Sequence, residues 1–256
     1  MARGFNTTLG VDANDKIVSA LTAHSTLRTW ACLMNVHLDG GSSAGRIFDK
    51  LVSTSTELLA CTRTTMNFQR ASSGTTGTWT WTSPSADTWH SAIVTYDAGA
   101  LSNIPILYLD GVAQSTTGAT QPTGTLNTSA EAYCFGNRAS DSLRVFDGQL
   151  AEIAIWDRIL AADEAASLGS MTDSLAVLGL LNGLVEYLPC VRAAVSYKLA
   201  NPTITGTLVQ PHSRVRGRVS SVAIGIGGVA PAGAIKARRQ PDELGTRIGT
   251  RQAVEA

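Results

Sequence analysis

The feature that most constrains the fold is the alternation of apolar and polar residues in two neighbouring segments, TWHSAIVTYD and ILYLDGVAQ. Side chains two positions apart share one face of a strand, so this period predicts strands with one face in a core. The second segment breaks at Asp110-Gly111, and Asp-Gly supplies the positive φ angles of a two-residue hairpin. We therefore predict that ILYL and VAQ pair as a hairpin, and we interpret Asp110 as a turn residue rather than a metal ligand.

The segment RTWACLMNVHL is apolar on both faces, which indicates a central strand covered on each side. Further strand-like segments follow, separated by loops rich in Thr, Ser and Gly. The pattern then changes from that of strands to that of a helix. Residues 160–171 have acidic residues near their start and Ala and Leu along one side, which predicts a helix. Residues 173–188 predict a second helix that leads into a closing strand. We expect an all-β fold, an antiparallel β-sandwich of the jelly-roll type with one or two short helices.

The composition agrees with this fold. The chain has 256 residues, of which 44% are hydrophobic and 16% are charged, so a large core is available and the polar surface falls mainly to Thr, Ser, Asn and Gln. The four cysteines form no Cys-x-x-Cys pair and are expected to be buried free thiols. The N-terminus lacks an apolar signal core and no stretch reaches membrane-spanning length, so we expect synthesis in a reducing cytoplasm and no membrane partner.

Residues 212–256 differ in character from the rest of the chain. They contain no aromatic residue and are rich in Gly, Ala and Arg, which is typical of a segment without its own core. Eight basic and three acidic residues give them a net charge of +5, and residues 1–211 therefore carry −5 in this neutral chain. We predict a domain of residues 1–211 and an extended basic C-terminal arm of residues 212–256. Nucleic acid is not a predicted partner, because the arm has neither aromatic residues nor a reading fold.

The order of the segments resembles laminin-G-like, concanavalin A-like jelly rolls. In that family a Trp-His strand ending in Tyr-Asp leads into a Leu-Tyr-hydrophobic-Asp-Gly hairpin, a Phe-x-Gly-x-hydrophobic-x-Glu strand, a Trp-x-Arg-x-Leu segment and a short helix. TWHSAIVTYD, ILYLDGVAQ and FDGQLAEIAIWDRILAADEAASL carry these pieces in that order, within about residues 5–170. The segment from GLLNGLVEYLP to QPHSRV also resembles the end of such modules in bacteriophage virion proteins. The resemblance implies a scaffold whose members bind glycans or proteins, build structures or, in some relatives, hydrolyse.

The family also implies two kinds of ligand at the loop rim, calcium and sugars. Calcium needs six to eight oxygen ligands, and the loop acids form no Asp-x-Asp-x-Asn cluster, so we predict no cofactor and leave calcium open. Trp79 and Trp81 are the glycan-contact candidates, because they lie in a Thr-rich segment where a ring could be exposed. Alternation places both rings on one face, which also suits the core. The loop acids near the family motifs are Asp97, Asp110, Asp141 and Asp147.

Catalysis in hydrolytic relatives of this scaffold uses two carboxylates on one strand. Retaining glycoside hydrolysis needs carboxyl groups about 5–5.5 Å apart. Glu152 and Asp157 are the nearest pair, but five positions of separation predict opposite faces of a strand. The four histidines are scattered along the sequence and no Gly-x-Ser-x-Gly occurs. We therefore do not predict an enzyme.

These observations lead to two hypotheses of function. The first is a bacteriophage virion structural protein, made in the host bacterial cytoplasm and displayed as a capsid decoration or fibre-like component. Its arm would anchor it to other virion proteins or to sister copies, by burying apolar positions and pairing arginines with acids. The alternative is a carbohydrate-binding, receptor-binding module of a phage tail or cell-surface protein, with an exposed Trp or Tyr at a loop rim. The partner-contact candidates in the arm are Arg214, Arg216, Arg218, Val222, Ile224, Ile226, Arg238 and Arg239.

Overall fold

The structure is a computed structural model, and its described residues all belong to one unit, Met1–Arg218. The C-terminal arm and the start of the second predicted helix lie outside the described residues. The domain boundary at residue 211 therefore stays a prediction. The described residues are 2–5, 15–23, 25–37, 45–51, 55–140, 144–169, 180–190, 202–205 and 207–210.

Within these residues the chain forms sixteen strands and one helix, so the predicted all-β fold is confirmed. The helix is α1 (Ala162–Gly169). The strands are β1 (Ala2–Phe5), β2 (Lys16–Val18), β3 (Leu27–Val36), β4 (Gly45–Leu51), β5 (Ser55–Cys61), β6 (Thr65–Arg70), β7 (Gly77–Thr82), β8 (Trp89–Asp97), β9 (Ile106–Leu109), β10 (Val112–Ala113), β11 (Gly118–Thr120), β12 (Tyr133–Phe135), β13 (Gly148–Trp156), β14 (Leu184–Leu188), β15 (Thr203–Thr205) and β16 (Leu208–Gln210).

The strands form two antiparallel eight-stranded sheets. Sheet A has the order β10-β9-β8-β3-β13-β1-β16, with β14 also paired to β13, and sheet B has the order β11-β7-β6-β5-β4-β12-β2-β15. The predicted hairpin is β9 and β10, with Val112 opposite Leu109. As expected, β3 is central, because it pairs with β8 on one side and β13 on the other.

Aromatic side chains fill the core between the sheets. Trp30 of sheet A stacks on Phe48 of sheet B with ring centroids 5.0 Å apart, and Phe68 lies 5.4 Å from Trp30. Such ring pairs add stabilisation beyond the area that they bury. The apolar and polar residues that alternate in the sequence therefore point alternately into this core and toward the outer faces of the sheets.

Helix α1 covers the outer face of sheet A and builds a second, smaller core there. Leu168 and Ala165 of the helix cluster with Ile93, Tyr108 and other outward residues of the sheet. This explains why β3 is apolar on both faces. The helix begins two residues later than the sequence indicates, and residues 170–171 of the predicted helix lie outside the described residues.

A β-bulge at Glu152 changes the parity of β13. Glu152 has φ 51°, and the register with β3 shifts between Ala151 and Ala154. The extra residue lets Leu150 and Ile153 both face the core, which simple alternation forbids. Because of this extra residue, a separation of five positions does not by itself place Glu152 and Asp157 on opposite faces of the strand.

The four cysteines are free and buried, as predicted. Burial raises their thiol pKa values, to about 11 for Cys61 and to about 12 for the other three. In the described part of the chain, no helix combines the length and the hydropathy needed to cross a membrane.

Candidate functional site

A pocket of about 370 Å³ opens at the end of the sandwich where β8 ends. One wall is the loop that follows β8 and the other is the loop that follows β11. Its lining combines hydroxyl groups, backbone and small apolar side chains around one cationic side chain, Arg70. The lining residues are Thr26, Arg70, Ala98, Gly99, Ala100, Leu101, Gly124, Thr125, Leu126 and Thr128.

The wall at residues 124–128 is held by a backbone ladder to the loop between β6 and β7. Ser73 N donates to Thr125 O at 2.8 Å, and Asn127 N donates to Ala71 O at 2.9 Å. Thr125 N in turn donates to Ser73 Oγ at 3.0 Å. Gly124 permits the turn, because its φ is +80°. These bonds preform the wall, which lowers the entropy lost when a ligand binds.

The opposite wall is a turn fastened to the end of β8. Asp97 Oδ1 accepts a hydrogen bond from Gly99 N at 2.7 Å, and Asn103 Nδ2 donates to Asp97 O at 3.0 Å. Ala98 N donates to Thr26 O at 2.8 Å, which ties this turn to the residue directly before β3. Asp97 therefore acts within the described structure as an Asx-turn residue at the rim of the pocket.

A row of polar side chains crosses sheet B behind the pocket. Tyr133 lies opposite Lys50, Lys50 opposite Glu57, and Glu57 opposite Arg70, on four adjacent strands. Arg28 of sheet A completes the layer, with its guanidinium 5.9 Å from the centroid of the Tyr133 ring. All five residues are buried. The polar layer borders the aromatic core, to which Tyr133 also belongs.

The layer carries three basic side chains and one carboxylate. Burial raises the pKa of Glu57, opposed by the charges of Arg70, Arg28 and Lys50. Burial likewise lowers the pKa of Lys50 to about 8. Tyr133 Oη donates a hydrogen bond to Glu57 Oε1, and Lys50 Nζ donates to the carbonyls of residues 22 and 131 at 2.8 and 2.6 Å. The basic groups outnumber the acid, so this end favours negative charge.

Arg70 connects the charged layer to the pocket. Arg70 is one of the residues that line the pocket, although it is only 2% exposed. Its Nη1 donates to Thr56 O at 3.0 Å, while its buried Nε has no hydrogen-bond partner among the described residues. Burial lowers the pKa of Arg70, and Glu57 opposes that shift. The guanidinium thus retains donor capacity beside a cavity.

The two glycan-contact candidates are not at this pocket, and the prediction that they offer stacking surfaces is wrong. Trp79 and Trp81 are both 0% exposed, because the inward face of β7 packs them into the core. Trp30 and Trp156 are also buried, and Trp89 is half-buried against Leu33 on the outer face of sheet A. The lining of the pocket includes no aromatic side chain.

Asp110 occupies the turn that the sequence predicts. Its φ is 49° and that of Gly111 is 81°, so both central residues of the hairpin are left-handed. The carboxylate also ties the hairpin to β8, because Oδ1 accepts from Ser91 N at 2.9 Å and Oδ2 lies 2.6 Å from His90 Nδ1. Asp110 therefore both forms the turn and holds the hairpin against β8.

His90 also contacts Ser85, with Oγ 3.0 Å from Nε2. Ser85, His90 and Asp110 thus have the connectivity of a nucleophile, a base and an orienting acid. Acyl transfer further requires oxyanion donors and a substrate cleft, and the described pocket is lined by none of these three residues. We interpret this contact chain as the anchor of the hairpin.

The other site candidates do not converge. Glu152 accepts a hydrogen bond from Tyr187 Oη in the interior, whereas Asp157 is exposed. Asp97 ends β8 and Asp147 directly precedes β13, and Asp141 is outside the described residues. In the described part of the chain, no three His, Cys, Asp or Glu side chains gather as a metal would require. Calcium binding stays an untested hypothesis, and the arm candidates from Arg214 to Arg239 lie outside the described residues.

The sequence reasoning missed Arg70 and the threonine wall. Arg70 stands in TTMNFQRA, where inward residues alternate as Met66, Phe68 and Arg70. A basic residue at the core parity of a strand is a signal that could have been noticed, since buried arginines need a partner. The wall residues lie in STTGATQPTGTLNTS, which reads only as a loop.

A family model described as the concanavalin A-like lectin/glucanases superfamily, of the laminin G type, matches residues 8–166. The chain belongs to this family. The predicted resemblance to laminin-G-like, concanavalin A-like domains is therefore confirmed, and the matched residues make up more than half of the chain. A comparison with curated protein sequences finds no match.

Several solved structures resemble this chain at low sequence identity. A protein of Bacteroides ovatus, named as a candidate carbohydrate-binding protein, superposes with a TM-score of 0.58 at 15% identity, over 81% of this chain and 58% of its own. A heptameric pentraxin of Limulus polyphemus gives 0.47 at 13% identity, over 77% and 97%. Mouse laminin α1 domains LG4-5 give 0.44 at 10% identity, over 63% and 44%. The chain spans little more than half of the Bacteroides protein.

Proposed function

We propose that this chain is a carbohydrate-binding module without catalytic activity, and that its ligand site is the pocket at the end of β8. Three observations support the proposal: the concanavalin A-like family, the fold shared with the Bacteroides protein and the pocket itself. The pocket carries the argument, because its walls are preformed and its threonines can exchange hydrogen bonds with sugar hydroxyls.

The mode of recognition differs from the one that the sequence indicates. A sugar in this pocket meets Thr26, Thr125 and Thr128, backbone groups and Arg70 rather than a tryptophan face. Hydrogen bonds therefore orient the sugar, and the small side chains of Ala98 and Ala100 leave room for its ring. Affinity per sugar is expected to be modest, because polar contacts with sugar replace contacts with water.

The test is a glycan screen with the full chain, using a variant that fills the pocket. Ala100 is exposed in the pocket wall, so Ala100→Trp should occlude the cavity without touching the core. Ala86→Trp is the matched control, an exposed alanine at the other end of β8. Binding by the wild type and the control, lost in Ala100→Trp, supports the proposal. Equal binding by all three, or no binding by any, contradicts it.

A virion structural role is a second proposal, supported by the charge asymmetry of the sequence. Residues 212–256 carry +5 and residues 1–211 carry −5, so the arm suits an acidic neighbour, either a sister copy or another virion protein. The test is light scattering of the full chain and of a triple variant with Arg214, Arg216 and Arg218 changed to Glu. An oligomer that dissociates in the variant supports self-assembly through the arm. A monomeric wild type contradicts it.

A further inference from the structure

The inference concerns the charge of the ligand, and it rests on the proposed function. We propose that the pocket selects sugars bearing a carboxylate, such as a uronic or a sialic acid, over neutral sugars of the same size. The deciding feature is Arg70, a buried arginine among the lining residues of the pocket, with further basic side chains in the same buried layer.

Basic groups outnumber acidic groups in the buried layer around Arg70. Arg28, Lys50 and Arg70 face Glu57 in the buried layer, so one carboxylate is set against three basic groups. Charges inside the sandwich are weakly screened. The acids at the margin are exposed or half-buried: Asp97 holds Gly99 N with Oδ1, and Glu131 and Asp157 face solvent. Water and salt screen these marginal acids more than the buried layer.

The hydrogen bonding of the Arg70 guanidinium also favours an anion. Arginine has five N–H donors and binds carboxylates through charge-assisted hydrogen bonds. Arg70 uses Nη1 on Thr56 O, and its Nε has no partner among the described residues. A buried arginine with unused donor capacity is stabilised when an anion reaches it. A neutral hydroxyl can accept one hydrogen bond but cannot offset the charge.

The residues that line the pocket favour polar recognition. The pocket offers no aromatic ring for stacking, so the usual nonpolar contribution to sugar binding is small here. Thr125 and Thr128 supply hydroxyls on the preformed wall, and Leu101 and Leu126 supply limited apolar contact. Discrimination therefore depends on hydrogen bonds and charge, and a carboxylate uses both at Arg70.

The experiment is a titration of the full chain with sugar ligands, in which NMR or calorimetry measures binding. The probes are two pairs that differ only in charge: glucuronate with its methyl ester, and N-acetylneuraminate with its methyl ester. We expect at least one free acid to bind about tenfold or more tightly than its ester, and added salt to reduce the difference. The pair that shows the preference tells uronic from sialic acid.

Variants test whether Arg70 is the cause. Arg70→Gln should reduce the acid to the affinity of its ester, and Arg70→Lys should keep part of the preference, because a lysine retains the charge but not the planar fork. Arg63→Gln is the matched control, an exposed arginine at the opposite end of β6. Each variant is first shown to be folded by its thermal transition. If Arg70→Gln does not fold, Arg70→Lys and the two ester pairs still decide.

The outcomes separate this inference from the proposed function. Equal binding of acid and ester by the wild type, with loss in Ala100→Trp, overturns the charge selection and leaves the glycan site. A preference for the acid that persists undiminished in folded Arg70→Gln also overturns it. Absence of any sugar binding in the screen overturns both proposals.

Discussion

The two ends of β8 show two ways in which this sandwich handles polar residues. At its beginning, His90, Ser85 and Asp110 satisfy one another at the surface and fasten a tight hairpin. At its end, Arg70 and Glu57 lie inside the sandwich, in a layer whose positive and negative groups are unequal in number. The first end is therefore structurally complete, whereas the second keeps a cavity and an unused donor. A ligand site is expected where polarity is buried and incompletely matched.

The sharpest test of this comparison is Glu57→Gln at the pocket end. It leaves Arg28, Lys50 and Arg70 without their facing carboxylate, and removal of one partner from a buried ionic group destabilises by about 3–5 kcal/mol. Glu131→Gln, an exposed acid near the same layer, should change the free energy of unfolding by less than about 0.5 kcal/mol. Urea unfolding gives both values. Equal effects of the two variants would show that the layer is not desolvated.

At the hairpin end the largest effect should come from backbone packing rather than charge. A Cβ built on Gly169 lies 1.8 Å from Gly111 N, so helix α1 and the turn are in direct backbone contact. Gly169→Ala must separate them, at a cost of about 2–3 kcal/mol. Ala162→Ser, at an exposed position of the same helix, is the control. A wild-type melting temperature in Gly169→Ala would show that the helix does not seal the hairpin.

Asp110→Ala should cost about 1–3 kcal/mol, because it removes two hydrogen bonds and places alanine at positive φ. Asp110→Asn should cost less, since asparagine tolerates the left-handed region and keeps an acceptor. Ser85→Ala, which removes only an exposed contact, should stay within about 0.5 kcal/mol. Thermal unfolding of the three variants ranks them. If the asparagine variant is as unstable as the alanine variant, charge rather than turn geometry dominates.

The pH dependence of stability should report the buried lysine. Burial lowers the pKa of Lys50 to about 8, against 10.5 in the unfolded chain. Below about pH 8 both states are protonated and the cost of the buried ammonium is present in full. Between about pH 8 and 10.5 the folded chain has released the proton and the unfolded chain still holds it, so this group's contribution to stability rises with pH.

Lys50→Met removes this titration. The free energy of unfolding of the wild type, minus that of Lys50→Met, should therefore increase from pH 7 to pH 9.5. Taking the difference cancels the contribution of other groups that titrate in this range. A difference that stays flat across this range would show that Lys50 keeps an ordinary pKa.

Local patterns determined much of the fold. The strands of TWHSAIVTYD and RTWACLMNVHL, the Asp110-Gly111 hairpin and the helix after Trp156 follow from period and turn chemistry, which act within a few residues. The bulge at Glu152 could not be read this way, because only pairing with β3 reveals the extra residue. The same limit made Trp79 and Trp81 ambiguous, since alternation defines a shared face but not which face is inward.

The sequence by itself therefore determined the family, the two-sheet architecture, the hairpin role of Asp110 and the burial of the cysteines. Only the tertiary structure decided that Tyr133, Lys50, Glu57 and Arg70 form one row, although they come from four strands across more than eighty positions of sequence. Cross-strand neighbours are set by register and sheet order, and neither is written in any local segment. The candidate site likewise could be found only in the tertiary structure, because the pocket forms where loops that are distant in sequence meet.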